Sequence, residues 1–266
     1  MGVTLSFISL KGGVGKTTIA LETASVLAND FGKKVLLVDG NFSAPNIHLY
    51  LDLKHDSTLH NALNGDNGLH AAIYEIYGMD VVPASLNFQS TVDPYKLKKI
   101  LEKHKHRYDF IIIDSSPHHS EMLPAIAAAD KIFVVTTPDD VTLNTSMKAA
   151  SLAKKNNVPI EGVIINKVRH PRYELDLEEI EKSFELPVLA RIKDNKKLIE
   201  SYHQKVPISV YDSMNEISKE IKRFAGSLAG IREQRGFLSK LFGKDFKKES
   251  VNRELMRQNF YESQFK

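Results

Sequence analysis

Ser9-Leu10-Lys11-Gly12-Gly13-Val14-Gly15-Lys16-Thr17-Thr18 is the stretch on which the reading of the fold turns. The apolar run before it, Val3–Leu10, predicts a buried strand, and Thr17–Asn29 after it has helical periodicity. Glycines between a strand and a helix let successive backbone N–H groups converge on one anion, and the helix N-terminus adds partial positive charge. In such a loop Lys16 can reach the outer phosphates of a nucleotide, and the Thr17 hydroxyl can ligate Mg²⁺. The usual phosphate-loop pattern needs a glycine five residues before Gly15. Leu10 stands there instead, and the loop is framed by two lysines, Lys11 and Lys16.

Outward from this loop, apolar runs alternate with helical stretches. Val35–Asp39, Asp80–Pro83, Phe110–Asp114, Ile132–Thr136, Gly162–Asn166 and Val188–Ile192 read as short buried strands. Pro94–His104, Val141–Asn156, Leu175–Phe184 and Met214–Leu228 read as helices between or after them. This alternation predicts an α/β fold: a doubly wound, mostly parallel sheet with helices on both faces. Ligands of such sheets bind at the carboxyl ends of the strands, so the segments that follow the strands are where chemistry is expected.

The framed loop Lys-Gly-Gly-Val-Gly-Lys-Thr-Thr (11–18) resembles the deviant Walker A loop of the MinD/ParA family of P-loop ATPases. The likeness extends over roughly residues 3–230, with details such as Asp66–Tyr74 nearest archaeal MinD-like members. It implies ATP and Mg²⁺ as cofactors, with Gly12, Gly13, Val14, Gly15, Lys16, Thr17 and Thr18 around the phosphates. It also implies a homodimer that assembles on ATP, Lys11 reaching across to the partner's nucleotide. After the second strand, Asp39-Gly40-Asn41-Phe42-Ser43-Ala44-Pro45-Asn46 resembles the family's first switch. Asp39 matches the carboxylate that holds the Mg²⁺ water shell, and Asn46 the later asparagine. Where the family has a second carboxylate for the attacking water, this chain has Asn41. An amide can position water but cannot accept its proton. Slow hydrolysis is therefore expected, with normal turnover the alternative if in-line positioning and cation electrostatics carry the step. Asp114, ending the strand Phe110–Asp114, matches the Walker B acid on the metal side. Asn166 matches the residue that reads the adenine edge, or else is a turn-forming asparagine.

The formal charge is +3, from 36 Lys+Arg and 33 Asp+Glu, and it is unevenly placed. Residues 232–266 hold nine basic and five acidic residues, so residues 1–231 carry −1. The division predicted is a P-loop ATPase domain, 1–231, and a basic amphipathic tail, 232–266. In that tail Leu238, Leu241, Phe242 and Phe246 share one helical face with Phe237 beside them, flanked by lysines. It resembles the membrane-targeting helix of MinD proteins and predicts contact with an anionic membrane surface. Residues 249–266 go beyond the family pattern: a partner-binding helix or a disordered end.

Without cysteine, disulfides, thiolate nucleophiles and iron–sulfur ligation are excluded, and with them the metallocluster carriers of this superfamily. No apolar run is long enough to span a bilayer, and the chain starts without a basic leader. These features predict a cytoplasmic protein attached peripherally to the inner face of the cell membrane. The function expected is an ATP-dependent switch that positions the division site or a cell-pole structure, with an unidentified activating or cargo protein. A non-hydrolysing scaffold and a ParA-type DNA segregation ATPase are the alternatives. The body's charge of −1 makes DNA an unlikely partner.

Overall fold

In the computed structural model, residues 2–86, 93–170, 172–232 and 247–262 are described. Eight strands form one sheet in the order β3-β4-β2-β5-β1-β6-β7-β8. They are β1 (Val3–Ile8), β2 (Val35–Gly40), β3 (Tyr74–Ile76), β4 (Met79–Val82), β5 (Phe110–Ser115), β6 (Lys131–Thr136), β7 (Ile160–Val168) and β8 (Val188–Lys193). Every pairing is parallel except β3 with β4. The fold is thus the doubly wound P-loop architecture that the alternation predicts. β3 is an addition. It joins β4 through Tyr77 and Gly78, both at positive φ (49° and 71°), as a two-residue hairpin turn requires. Tyr-Gly is not the Asn-Gly pair that normally announces such a turn, so sequence alone does not reveal this edge.

Strand residues alternate between two helical layers, as a twofold pleat demands. Leu5, Phe7, Leu37, Ile112, Phe133 and Ile164 face one core. It is closed by α1 (Lys16–Asn29), α8 (Lys196–His203), α9 (Ile208–Tyr211) and α10 (Glu216–Leu228). Phe7, Phe133 and Phe224 pack there as a buried ring cluster, with centroids 5.2–6.4 Å apart. The alternate residues, among them Leu36, Val38, Ile111, Ile113, Val134 and Ile165, face the other layer. That layer contains α3 (Leu59–Asn64), α4 (Lys96–Glu102), α5 (His119–Ala128), α6 (Asp140–Lys155) and α7 (Leu177–Phe184). A short α2 (Ile47–Leu51) follows the segment after β2. The helices α2, α3, α8 and α9 are four to eight residues long, too short to carry a readable 3.6-residue period.

The last helix, α11 (Lys248–Glu262), takes up the region expected to be a partner-binding helix or disordered. It packs on the body. Met256 and Phe260 join the first core, and the Phe260 ring lies 6.5 Å from Phe110 and under Lys131 Nζ. Arg253 is 3% exposed and donates to the Leu189 carbonyl and to Glu220, while Asn252 donates to the Val188 carbonyl. The helix therefore crosses the sheet at the N-terminal ends of β8, β6 and β5, opposite the phosphate loop. Phe237, Leu238, Leu241, Phe242 and Phe246 lie outside the described residues. No helix among the described residues is long and apolar enough to cross a membrane.

Candidate functional site

β1 delivers the loop 9–15 to the carboxyl edge of the sheet, where α1 begins. Gly13 and Gly15 adopt φ of 78° and 96°, the left-handed region open to glycine. Gly15 is required twice over, because a Cβ there would sit 2.1 Å from Asn166 Nδ2. Around Gly12 and Gly13 a Cβ would meet nothing within 4 Å, so this side of the loop lies open. Asn166, at the end of β7 and nearly buried, donates from Nδ2 to the Val14 carbonyl at 2.8 Å. It pins the loop from a strand two places away in the sheet.

Lys16 is buried, and its Nζ donates to the Lys11 carbonyl at 3.3 Å. Burial lowers its pKa to about 8, opposed in part by the charge of Asp114. Thr17 Oγ1 donates to Asp114 Oδ2 at 2.6 Å. Lys11 and Thr18 flank this pair, Lys11 exposed at the loop's outer rim and Thr18 in the first turn of α1. Asp39 and Asp114 are register partners at the ends of adjacent strands β2 and β5, and both are fully buried. Desolvation pushes both carboxyl pKa values up, and that of Asp39 is raised further by Asp114.

Asp39 organises the following segment. Its carboxylate accepts from the backbone N–H groups of Asn41, Asn46 and Ile47 at 3.2, 3.0 and 3.1 Å. Asn41 turns its amide nitrogen onto the Ala44 carbonyl at 2.7 Å. The structure therefore brings Asp39, Asn41, Asn46, Asp114, Thr17 and Lys16 into one cluster beside the open loop.

Three buried acceptor oxygens here, Asp114 Oδ1, Asn41 Oδ1 and Asn46 Oδ1, have no protein donor among the described residues. Each such atom costs about 1–3 kcal/mol unless something donates to it or binds it. Two desolvated carboxylates, a hydroxyl and three unmatched oxygens suit a hydrated divalent cation, which prefers oxygen ligands and keeps several waters. The adjacent N–H-rich loop and Lys16 suit the phosphates. The donor set fits Mg²⁺ and a nucleotide.

Three contributors were not singled out from the sequence. Glu22 on α1 is fully buried and accepts from the N–H groups of Ile208 and Ser209 and from Tyr202 Oη, tying α8 and α9 to the phosphate-loop helix. A carboxylate inside the apolar stretch Ile19–Leu27 was the signal available. Asp139 caps α6 through the Thr142 N–H; against the desolvation of partial burial, hydrogen bonds from Thr137 and Thr142, and last the Lys11 charge, hold its carboxyl below the usual range. Glu121 on α5 accepts from Ser43 N and Oγ at 3.2 and 3.1 Å, joining the segments after β2 and β5. The Asp139 cap is local, an aspartate immediately before a helix, whereas the Glu121 partnership spans 78 positions and has no local sequence signal.

A family model described as an AAA domain matches residues 2–152. An uncharacterised ATP-binding protein of Methanocaldococcus jannaschii is 29% identical over 260 residues, covering 92% of this chain and 98% of its own. The septum site-determining protein MinD of Bacillus subtilis is 26% identical over 243 residues, covering 86% and 90%. The solved MinD of Pyrococcus horikoshii, complexed with Mg-ADP, superposes with a TM-score of 0.81 at 28% identity, covering 86% of this chain and 96% of that one. With its two-lysine phosphate loop, its paired aspartates and this fold, the chain belongs to the AAA-domain family and is a P-loop ATPase of the MinD/ParA type.

Proposed function

We propose that this chain is an ATP-operated positional switch. ATP and Mg²⁺ are its ligands. Gly12, Gly13, Val14, Gly15, Lys16 and Thr18 hold the phosphates, and Thr17, Asp39 and Asp114 hold the metal and its waters. Bound Mg²⁺ supplies charge neutralisation to the phosphates. The observation that carries the reading is the cluster of buried, unmatched oxygens around Asp39 and Asp114, set beside the open loop and Lys16.

Lys11, exposed at the rim, reaches the nucleotide of a second copy when ATP is bound, and the homodimer closes around two nucleotides. Asn166 keeps a second amide N–H and its carbonyl for the adenine edge while it holds Val14. Asn41 positions the attacking water without taking its proton, so hydrolysis is slow. The basic segment with Phe237, Leu238, Leu241, Phe242 and Phe246 engages an anionic membrane. Two such segments per dimer bind on the order of 10²–10⁴-fold better than one, which makes attachment a readout of nucleotide state. The task is positional, at the division site or a cell-pole structure, with a further protein as activator or cargo.

Co-sedimentation with anionic vesicles tests the reading. Binding with ATP and release with ADP are expected. Equal binding in all nucleotide states, or none in any, contradicts it. A second reading, a scaffold that does not hydrolyse ATP, is favoured by the Asn41 amide being engaged on Ala44. Absence of steady-state phosphate release would select it.

A further inference from the structure

α2 is too short to stand alone. Its five residues leave most backbone groups without an intrahelical partner, so tertiary contacts must hold it. Its N-terminus is held by the candidate site, because the Asn46 and Ile47 N–H groups donate to Asp39 at 3.0 and 3.1 Å. Its C-terminal half is held from the other side, by α8 and the turn that follows α8. The Tyr50 and Tyr202 ring centroids lie 4.7 Å apart, and Lys205 Nζ donates to the Leu49 carbonyl at 2.8 Å. A cation on a carbonyl near a helix C-terminus also suits the helix dipole.

Lys205 does this from a costly backbone position. α8 closes with two nested bonds: the Lys205 N–H donates to the Tyr202 carbonyl at 3.1 Å and the Val206 N–H to the Ser201 carbonyl at 3.0 Å. The left-handed residue of such a helix ending is usually glycine. Here it is Lys205, at φ of 61°. Glycine would suit the backbone better, but it would take away the donor to Leu49. The Lys205 carbonyl accepts from Tyr77 Oη at 3.0 Å, which ties the same turn to the β3–β4 hairpin.

Tyr202 adds a link in a second direction. Its hydroxyl donates to Glu22 at 3.2 Å, on the carboxylate that also accepts from the Ile208 and Ser209 N–H groups. Glu22 stands on α1, the helix that opens with Lys16 and Thr17. α8 and its turn therefore join the two helices that lead away from the cation cluster. α1 carries the Thr17 hydroxyl, and the first N–H groups of α2 orient Asp39.

We propose that Tyr202 and Lys205 are positioning residues for the cation site, on the reading above that Thr17, Asp39 and Asp114 hold hydrated Mg²⁺. Neither side chain belongs to the cation's donor set. By fixing α2 against α1 they set where the Asn46 and Ile47 N–H groups lie, and so how the Asp39 carboxylate faces Thr17 and Asp114. The lysine at a glycine position is the mark of this role. A turn that served only to end α8 would gain from glycine there.

Affinity for ADP, measured calorimetrically with Mg²⁺ and with EDTA, reads the site without turnover, since the ratio of the two is the gain from the metal. Lys205→Gly relieves the backbone, so the fold should hold, while the gain from Mg²⁺ should fall by roughly fivefold, about the worth of one hydrogen bond. Lys205→Arg keeps a donor and should retain most of the gain. Tyr202→Phe keeps the ring against Tyr50 and cuts the tie to Glu22; its gain should also fall, with affinity in EDTA unchanged. Ile199→Ala, on the same helix but 71% exposed, should match the native chain. A native gain in Lys205→Gly or in Tyr202→Phe overturns the proposal, as does an equal loss with and without metal. A loss in Ile199→Ala, or in Lys205→Arg as large as in Lys205→Gly, overturns it too. If the native chain itself gains nothing from Mg²⁺, the assignment of Asp39 to the cation falls and this role falls with it.

Discussion

Gly15 and Asn166 interlock: the space a Cβ on residue 15 would need, 2.1 Å from Asn166 Nδ2, is held by the amide that anchors the Val14 carbonyl. The loop's shape is thus fixed from a strand residue 152 positions along the chain from Val14. Gly15→Ala should abolish nucleotide binding, since φ of 96° is itself costly for any side chain. Asn166→Ala leaves the backbone path open but orphans a buried carbonyl, at a cost of about 1–3 kcal/mol. Calorimetric titration with Mg²⁺-ATP should show no binding for the first variant and a loss of about tenfold for the second.

Asn41→Asp should raise steady-state phosphate release by tenfold or more, within the range general-base catalysis supplies. The same change adds a third carboxylate beside Asp39 and Asp114, so the nucleotide-free variant should melt at lower temperature than the native chain. A rate in the variant equal to the native rate would mean that water positioning, not proton acceptance, limits turnover.

The paired aspartates set a pH dependence. Both carboxyls titrate above the ordinary value of 3.8, so above that value the folded protein holds protons that the unfolded chain has released. Stability must then fall as pH rises through the raised pKa values. Melting temperature of the nucleotide-free protein should decline between about pH 4 and neutrality, and Mg²⁺ with nucleotide should flatten the decline. Asp39→Asn should flatten it without ligand. Lys16 adds the opposite slope only above its value of about 8, where the unfolded chain still holds the proton.

α11 is part of the core. Phe260, 1% exposed, packs against Phe110 and under Lys131. Phe260→Ala should cost about 3–5 kcal/mol in urea unfolding, as buried aromatic truncations do. Arg253→Ala removes the donor to the Leu189 carbonyl and leaves Glu220 with Arg223 alone, and should cost about 1–3 kcal/mol. Removal of residues 248–266 should destabilise the whole domain, in one cooperative transition rather than two.

Where a side chain's role is local, the sequence was sufficient. The strand–glycine–helix grammar located Gly13, Gly15, Lys16 and Thr17, and strand-end carboxylates located Asp39 and Asp114, because register in a parallel sheet brings such ends together. The roles that escaped are tertiary. Asn166 as an anchor for Val14, Glu22 as the tie between α1 and α9, and Glu121 as the partner of Ser43 each depend on contacts across 78 to 187 positions. The β3–β4 hairpin escaped because Tyr77 takes a left-handed conformation without the residue type that signals one. α11 escaped because its buried face, Glu249, Arg253, Met256 and Phe260, is half charged, and a hydrophobicity pattern does not register an arginine that is buried by pairing.

Molar mass by light scattering, with Mg²⁺-ATP and with Mg²⁺-ADP, tests whether the dimer is gated by nucleotide. The 29.9 kDa chain should double in mass with ATP and remain single with ADP, and Lys11→Ala should stay single in both. A mass independent of nucleotide, or a Lys11→Ala variant that still doubles with ATP, would contradict it.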